Sequence, residues 1–298
     1  MSICDYARFL RIMWSVPSIK AVLKKGYRQI SLQDQEKIRD YLQQSQCSTG
    51  GFTDRNGRED IYYTFFGTII ADSLSIRYDY SSVAKYIGHY SVDQETSLAD
   101  MISYAALLYK HTGNKKRALS ILSKIDTVTT KKKIVEPVYA DIMMTLACLQ
   151  CRLYFRAAHI LKSQAEQMFC ETAAMTPLVA ARVTMISIYL KKAGLFKKKE
   201  SAVTELKRHA ESCVDVLINR VSDVGGFKAS AKVIVPDLLS TAVSLYALKC
   251  YDYDLRAIAP SMLDFITSVY CDGSFAPSEY EAGDVEYLFY GLLALGSL

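Results

Sequence analysis

A short glycine–phenylalanine pattern recurs three times, and each copy is followed at a similar distance by an aspartate that opens a strongly apolar segment. The copies are Gly50-Gly51-Phe52 with Asp60 after seven residues, Gly225-Gly226-Phe227 with Asp237 after nine, and Asp272-Gly273-Ser274-Phe275 with Asp284 after eight. Thr64 and Thr241 each follow their aspartate by four residues. Repetition at fixed spacing indicates a fold assembled from similar structural units.

Each part of this pattern has an expected local role. Glycine permits a tight turn and a close backbone approach, and the phenylalanine is predicted to anchor the loop in the core. An aspartate at a helix start accepts from free backbone N–H groups and lies at the positive end of the helix dipole. Each aspartate, taken alone, is therefore predicted to be an N-cap.

Apolar residues recur at helical spacing along nearly the whole chain. After an N-terminal helix, amphipathic segments alternate with segments that are apolar on all sides. The predicted pairs are 32–46 with 60–76, 81–88 with 97–111, 115–125 with 136–150, 152–171 with 176–193, 197–220 with 236–250, and 256–270 with 284–296. A helix that is apolar all round must be covered on every side, so six pairs fit either two concentric rings or an open superhelix.

The composition favours helices and excludes several functions. The 298 residues include only 14 Gly and 6 Pro, and 50% are apolar, which favours helices around a large core. The eight cysteines show no disulfide spacing. No apolar run is long enough for a membrane span. The lysine clusters behind the net charge of +5 lack an aromatic-basic platform, so nucleic acid is not a predicted partner.

The N-terminal segment 1–30 is predicted to be a helical extension. Asp5, Arg8 and Arg11 interrupt its apolar residues, so it lacks the continuous apolar stretch of a signal peptide. The expected location is therefore cytoplasmic. An amphipathic helix here either closes the core, which is the preferred interpretation, or makes peripheral contact with a lipid surface.

The segments GGFTDRNGREDIYYT, GGFKASAKVIVPDLLSTAVSLYAL and DGSFAPSEYEAGDVEYLFYGLLAL resemble repeats of protein prenyltransferase β subunits and of squalene–hopene and terpene cyclases. The resemblance is clear over 32–76 and 200–298, whereas 80–195 matches only in the helical spacing of its apolar residues. It implies an all-α fold, an α/α toroid of about six helical hairpins around an apolar cavity, with 1–298 as one domain. Ring closure would place hairpin six beside hairpin one and gather the three patterned loops in one sector.

The resemblance also identifies positions where this sequence departs from the family's chemistry. In protein prenyltransferases, an Asp, a Cys two residues later and a His in the next repeat hold a zinc ion that activates a thiol. These positions fall on Asp237, Leu239 and Tyr287, so two of three ligands are absent. The proton-donating acid of the cyclases' DxDD segment also falls on Leu239. No zinc site and no cofactor are therefore predicted.

One polar group remains as a candidate site. Asp284 and Glu286 occupy the repeat positions of the zinc-binding Asp and Cys, and a closed ring would place them near Asp60 and Asp237. These four carboxylates are the predicted catalytic residues. The predicted cavity or substrate-binding residues are Tyr62, Tyr63, Ser240 and Tyr287. Clustered carboxylates raise at least one pKa, which suits general acid catalysis, or they bind a divalent cation. In the competing interpretation the aspartates only cap helices and Glu286 points to solvent.

Three functions are compatible with these features. The first is a divergent prenyltransferase- or terpene-cyclase-like protein that acts on or binds an isoprenoid or another apolar small molecule. The second is a non-catalytic toroid that binds a lipid, a peptide or a protein partner. The third, a glycosidase with two carboxylates, ranks last because the acidic groups share one sector and the chain has a single Trp.

Overall fold

The computed structural model describes residues 17–92, 96–131, 174–193 and 200–298, with single positions between 141 and 160. Helix α1 (Ile19–Gln29) comes first. Outer helices are α2 (Leu32–Gln44), α4 (Tyr80–His89), α6 (Lys115–Lys131), α8 (Glu200–Ile218) and α10 (Ala259–Ser268); inner helices are α3 (Ile61–Leu74), α5 (Leu98–Leu107), α7 (Thr176–Ala193), α9 (Leu238–Tyr251) and α11 (Val285–Ser297). The helices predicted at 136–150 and 152–171 lie largely outside the described residues.

The inner helices form a ring that closes between the last and the first hairpin. Helix α3 packs on both α5 and α11, while α9 packs on both α11 and α7. The hydrogen bond between Tyr62 on α3 and Glu286 on α11 joins positions 224 residues apart. An open superhelix would separate these hairpins, so the predicted all-α, α/α-toroid architecture is confirmed.

The two helix types differ in burial because the ring covers them differently. On α3 nearly every side chain from Ile61 to Ser73 is buried, since neighbouring helices and the outer layer enclose it. On the outer helix α2 only Ile38 and Leu42 are buried. The apolar and amphipathic patterns in the sequence therefore distinguish inner from outer helices. The last part of the helix predicted at 97–111 is a π-helical turn, Leu108–Thr112, that follows α5.

The three patterned loops contain short antiparallel hairpins that helical periodicity does not predict. Strand β1 (Phe52–Thr53) pairs with β2 (Glu59–Asp60), β3 (Phe227–Lys228) with β4 (Pro236–Asp237), and β5 (Tyr270–Cys271) with β6 (Ser274–Phe275). Thr64 Oγ1 accepts from Phe52 N at 2.9 Å, and Thr241 Oγ1 accepts from Phe227 N at 2.8 Å. The threonine four residues after the aspartate thus ties the first two of these loops to their inner helices.

The phenylalanines fill the space between these loops and the inner helices. Phe52 and Phe275 are buried, and each packs over a glycine, Gly67 and Gly291, that lies seven residues after the N-terminal aspartate of its helix. A methyl group added at either glycine would overlap the phenylalanine ring. In the middle copy the same register position is Ser244, which already carries a side chain.

Helix α1 closes part of the core. Ser18 caps it by accepting from Ala21 N at 3.2 Å, and its buried residues Val22, Leu23 and Gly26 pack against α11 and α3. Before the helix begins, Pro17 O accepts from Tyr246 Oη at 2.9 Å. The described part of the N-terminal extension therefore seals the inner ring. None of the described helices is both long and apolar enough to cross a bilayer.

Replacing Gly291 with alanine should lower the free energy of unfolding by about 1–3 kcal/mol, because the added methyl overpacks the space that Phe275 fills. Urea denaturation measures the change. Ser244→Ala is the matched control at the same register of α9. Its Oγ is buried without a hydrogen-bond partner among the described residues, so its loss should change stability by less than about 1 kcal/mol. Equal destabilisation in both variants would contradict this packing role.

Candidate functional site

The three aspartates that follow the patterned loops are N-caps. Each uses carboxylate Oδ1 to accept from the backbone of the first helical turn: Asp60 from Tyr62 N (2.8 Å) and Tyr63 N (3.0 Å), Asp237 from Ser240 N (2.7 Å), and Asp284 from Tyr287 N (2.7 Å). The capping role expected for each aspartate is confirmed. The caps also fix the residues two and three positions later at the rim of the ring.

Glu286 lies two residues after Asp284 and is turned toward α3 rather than to solvent. Tyr62 Oη donates to its Oε1 at 2.8 Å. Since Tyr62 stands two residues after Asp60, equivalent positions of α3 and α11 meet at the seam of the ring. The pKa of Glu286 is raised to about 7, chiefly by burial and also by the charge of Asp284, while the Tyr62 hydrogen bond opposes the shift.

Asp284 also uses its second oxygen. Asp284 is 2% exposed. Its Oδ2 accepts hydrogen bonds from Arg55 Nε and, at 3.4 Å, from Tyr63 Oη. The Arg55 guanidinium lies over the Tyr287 ring, 5.0 Å from the ring centroid. Arg55 therefore neutralises the buried acid and covers the site from the β1–β2 loop.

Arg55 is a site residue that sequence reasoning missed. It follows Phe52 by three residues, and the equivalent positions in the other two loops are Ser230 and Ser278. The repeat therefore offers no signal for a cation at this position. Its place beside Asp284, which is 229 residues away in sequence, follows only from ring closure.

The other predicted residues lie on either side of this centre. The pKa of Tyr287 is raised to about 12, chiefly by burial, and the nearby charges of Glu286 and Asp237 contribute to the shift. Burial also raises the pKa of Asp237, whose Oδ2 has no hydrogen-bond partner among the described residues. Asp60 acts on Glu286 only through its charge. Ser240 shares the rim with Asp237, and its buried hydroxyl has no hydrogen-bond partner among the described residues.

Aromatic rings pack directly below the carboxylates. The Phe66 ring centroid lies 4.9 Å from that of Tyr62, 5.0 Å from that of Phe289 and 6.1 Å from that of Tyr290. The first two contacts are edge-to-face, the geometry of tight aromatic packing. The rings therefore hold α3 against α11 and place an aromatic wall under Glu286.

Metal-ligating side chains do not converge in the part of the chain that the structure describes. No group of three or more His, Cys, Asp and Glu residues there has the arrangement to hold an ion. His111 is buried beside Tyr80, with 4.4 Å between ring centroids, and His89 ends α4. The expected absence of a metal or cofactor stays a prediction.

A comparison with known protein families matches residues 7–108 and 154–297 to the prenyltransferase alpha-alpha toroid domain. The chain belongs to this family. The match to the toroid domain extends beyond 32–76 and 200–298 into segments where the sequence showed helix rhythm only. A search of curated proteins found no matching sequence.

In this toroid domain, Glu286 should make stability depend on pH. Its pKa of about 7 in the folded state exceeds the ordinary value of 4.5, so the folded chain holds this proton more tightly than the unfolded chain. Its contribution is therefore lost as pH rises from about 4.5 to above 7, by up to about 3 kcal/mol. Glu286→Gln should lack this loss, and urea denaturation at pH 5 and pH 8 compares the two proteins. Parallel curves would show that burial does not shift the pKa.

Arg55→Met should raise the pKa of Glu286 above that of the wild type, because the Arg55 charge lowers it. It should also lower the free energy of unfolding by about 1–3 kcal/mol, since it leaves the buried Asp284 carboxylate without its cation. Carboxyl NMR titration and urea denaturation measure these effects. Arg58→Met removes an exposed cation from the same loop and is expected to change neither. An unshifted Glu286 pKa in Arg55→Met would contradict the arrangement.

Proposed function

We propose that this toroid binds an isoprenoid or a similarly apolar lipid inside the helix ring and that Glu286 exchanges a proton with it. The main support is the position of Glu286: a partly buried carboxyl that accepts a hydrogen bond from Tyr62 across the ring seam, next to packed aromatic rings. A carboxyl with a pKa of about 7 is partly protonated at neutral pH, which suits a general acid or base.

The register of the inner helices supports an apolar interior. Positions two and six residues after the N-caps meet across the seam, as Tyr62 with Glu286 and Phe66 with Tyr290. On α9 the equivalent stripe is Leu239 and Val243, continuing to Tyr246. These three apolar side chains are partly exposed, although almost all of the others on that helix are buried. Partial exposure on a helix enclosed on its other sides is the pattern of a lining facing an interior space.

The raised pKa of Glu286 favours one kind of proton chemistry over another. Protonation of an isolated alkene demands a strongly acidic carboxyl, whereas burial makes Glu286 a weak acid. It is better suited to accept a proton. In a prenyl transfer or elimination, the allylic C–O bond breaks, the leaving group departs with the electron pair, and Glu286 takes the proton from the nucleophile or from carbon beside the cation. The faces of Tyr62 and Phe66 favour positive charge nearby.

A non-catalytic toroid is the second candidate, in which the interior holds a lipid or peptide, or the surface binds a protein partner. It is favoured by Leu239 and Tyr287, which stand at the family's reactive positions, and by the use of all three aspartates as helix caps. A divalent cation beside Asp284 would also have to displace Arg55. A cytoplasmic location stays a prediction under either function.

The test begins with native mass spectrometry and lipid extraction of the purified protein, followed by incubation with farnesyl diphosphate. We expect a bound isoprenoid and release of diphosphate. Glu286→Gln should bind the same lipid but lose about 100-fold or more in turnover, the scale of general acid–base catalysis. Glu279→Gln, an exposed glutamate in the neighbouring loop, is the matched control and should keep full activity.

Each contrary result has a distinct meaning. Full turnover by Glu286→Gln would show that Glu286 is not the proton-exchanging group. Lipid binding without turnover by the wild type would establish the non-catalytic toroid. Failure to bind any isoprenoid would remove the proposed ligand class. Zinc analysis of the same sample is also informative, because stoichiometric zinc would contradict the loss of ligands at Leu239 and Tyr287.

A further inference from the structure

Helix α1 has two faces of opposite character. Val22, Leu23 and Gly26 are buried against the ring. The cations Lys20, Lys24, Lys25 and Arg28 are all exposed on the other side. Their spacing of four, five and eight residues from Lys20 places them together on one helical face. We name these four residues the α1 cationic face.

No acidic residue in the described part of the chain forms a salt bridge with this face. Its neighbours instead add positive charge. Burial lowers the pKa of Lys249 to about 8, and the nearby Lys25 contributes to the shift. Lys110 also lies near Lys20, but its ammonium is paired with the Asp72 carboxylate. Lys249 therefore extends the positive charge beside the α1 cationic face, whereas Asp72 neutralises Lys110.

Helix dipoles account for only part of this region. Lys249 Nζ donates to Ser297 O at 2.8 Å at the end of α11, and cations are favoured at helix C-termini. Lys20 and Lys24 have no such role, because they lie in the first half of α1 and point away from the ring. The helix dipole therefore does not account for these two charges, which are exposed and accessible to an anionic partner.

We propose that the α1 cationic face docks this protein on an anionic membrane surface. The apolar side of α1 is already buried in the ring, so the contact is electrostatic adsorption without insertion. Lysines and an arginine on one short helix fit the diffuse charge of anionic headgroups, which attract basic segments near a bilayer. The one aromatic residue of α1, Tyr27, turns its hydroxyl to Gln35 O at 3.0 Å and offers no exposed platform for stacked bases. This inference goes beyond the proposed function and does not depend on it.

Sedimentation with phosphatidylcholine vesicles, with and without phosphatidylglycerol, tests the proposal. The full chain should bind only the anionic vesicles and should leave them at high ionic strength. Lys20→Glu with Lys24→Glu should weaken binding at least about twentyfold, since each lysine near an anionic surface contributes about fivefold. Lys207→Glu with Arg208→Glu, two exposed cations on the outer helix α8, makes the same change in net charge and should retain binding. Circular dichroism checks that both variants fold.

Three results would overturn the proposal. Failure of the wild type to bind anionic vesicles would show that this face does not serve a membrane. Equal loss in the two double variants would assign the effect to net charge. Binding to polyuridylate at an ionic strength that releases the protein from vesicles would assign the face to nucleic acid instead.

Discussion

The contact between α3 and α11 is the constraint on which the rest of the structure depends. A row of helical hairpins with apolar inner helices has two exposed ends unless the last hairpin packs on the first. The Phe66 ring supplies the apolar part of that contact through Phe289, and the Tyr62–Glu286 and Arg55–Asp284 pairs supply its polar part at the rim. These polar residues therefore help to close the ring, and the same contact between α3 and α11 partly buries Glu286 and raises its pKa.

The N-cap aspartates show how one residue type acquires different properties from equivalent local positions. Local geometry engages one oxygen of each carboxylate with the backbone of its own helix. The second oxygen depends on the neighbouring repeat. At Asp284 it meets Arg55 and Tyr63, whereas at Asp237 it is buried without a partner among the described residues. A capping carboxylate is thus compatible with a functional one, because capping uses only half of its acceptor capacity.

The parts of the site that could be predicted from the sequence are those fixed by near neighbours in the chain. Asp60, Asp237 and Asp284 are caps because the N–H groups they accept from are two or three residues away. The approach of Glu286 to Asp60 and Tyr62 can be predicted only if the ring is assumed to close, and the repeated loops indicated that closure. The orientation of Glu286 was left open, since a residue two positions after an N-cap can face solvent or a neighbouring helix. Arg55 was missed because the other two repeats have serine at its position.

Charge along the ring axis follows from the direction of the inner helices. Their N-termini share one rim, where the free N–H groups attract Asp60, Asp237 and Asp284. Their C-termini share the opposite end, where Lys249 donates to the last turn of α11. Helix dipoles thus account for an acidic rim and for some positive charge at the other end, but not for the outward face of α1, which covers that end. Helix dipoles do not explain the charges of Lys20 and Lys24, so the excess charge there points to an anionic partner outside the protein. The aspartates at the opposite rim need no such partner, because each caps an inner helix.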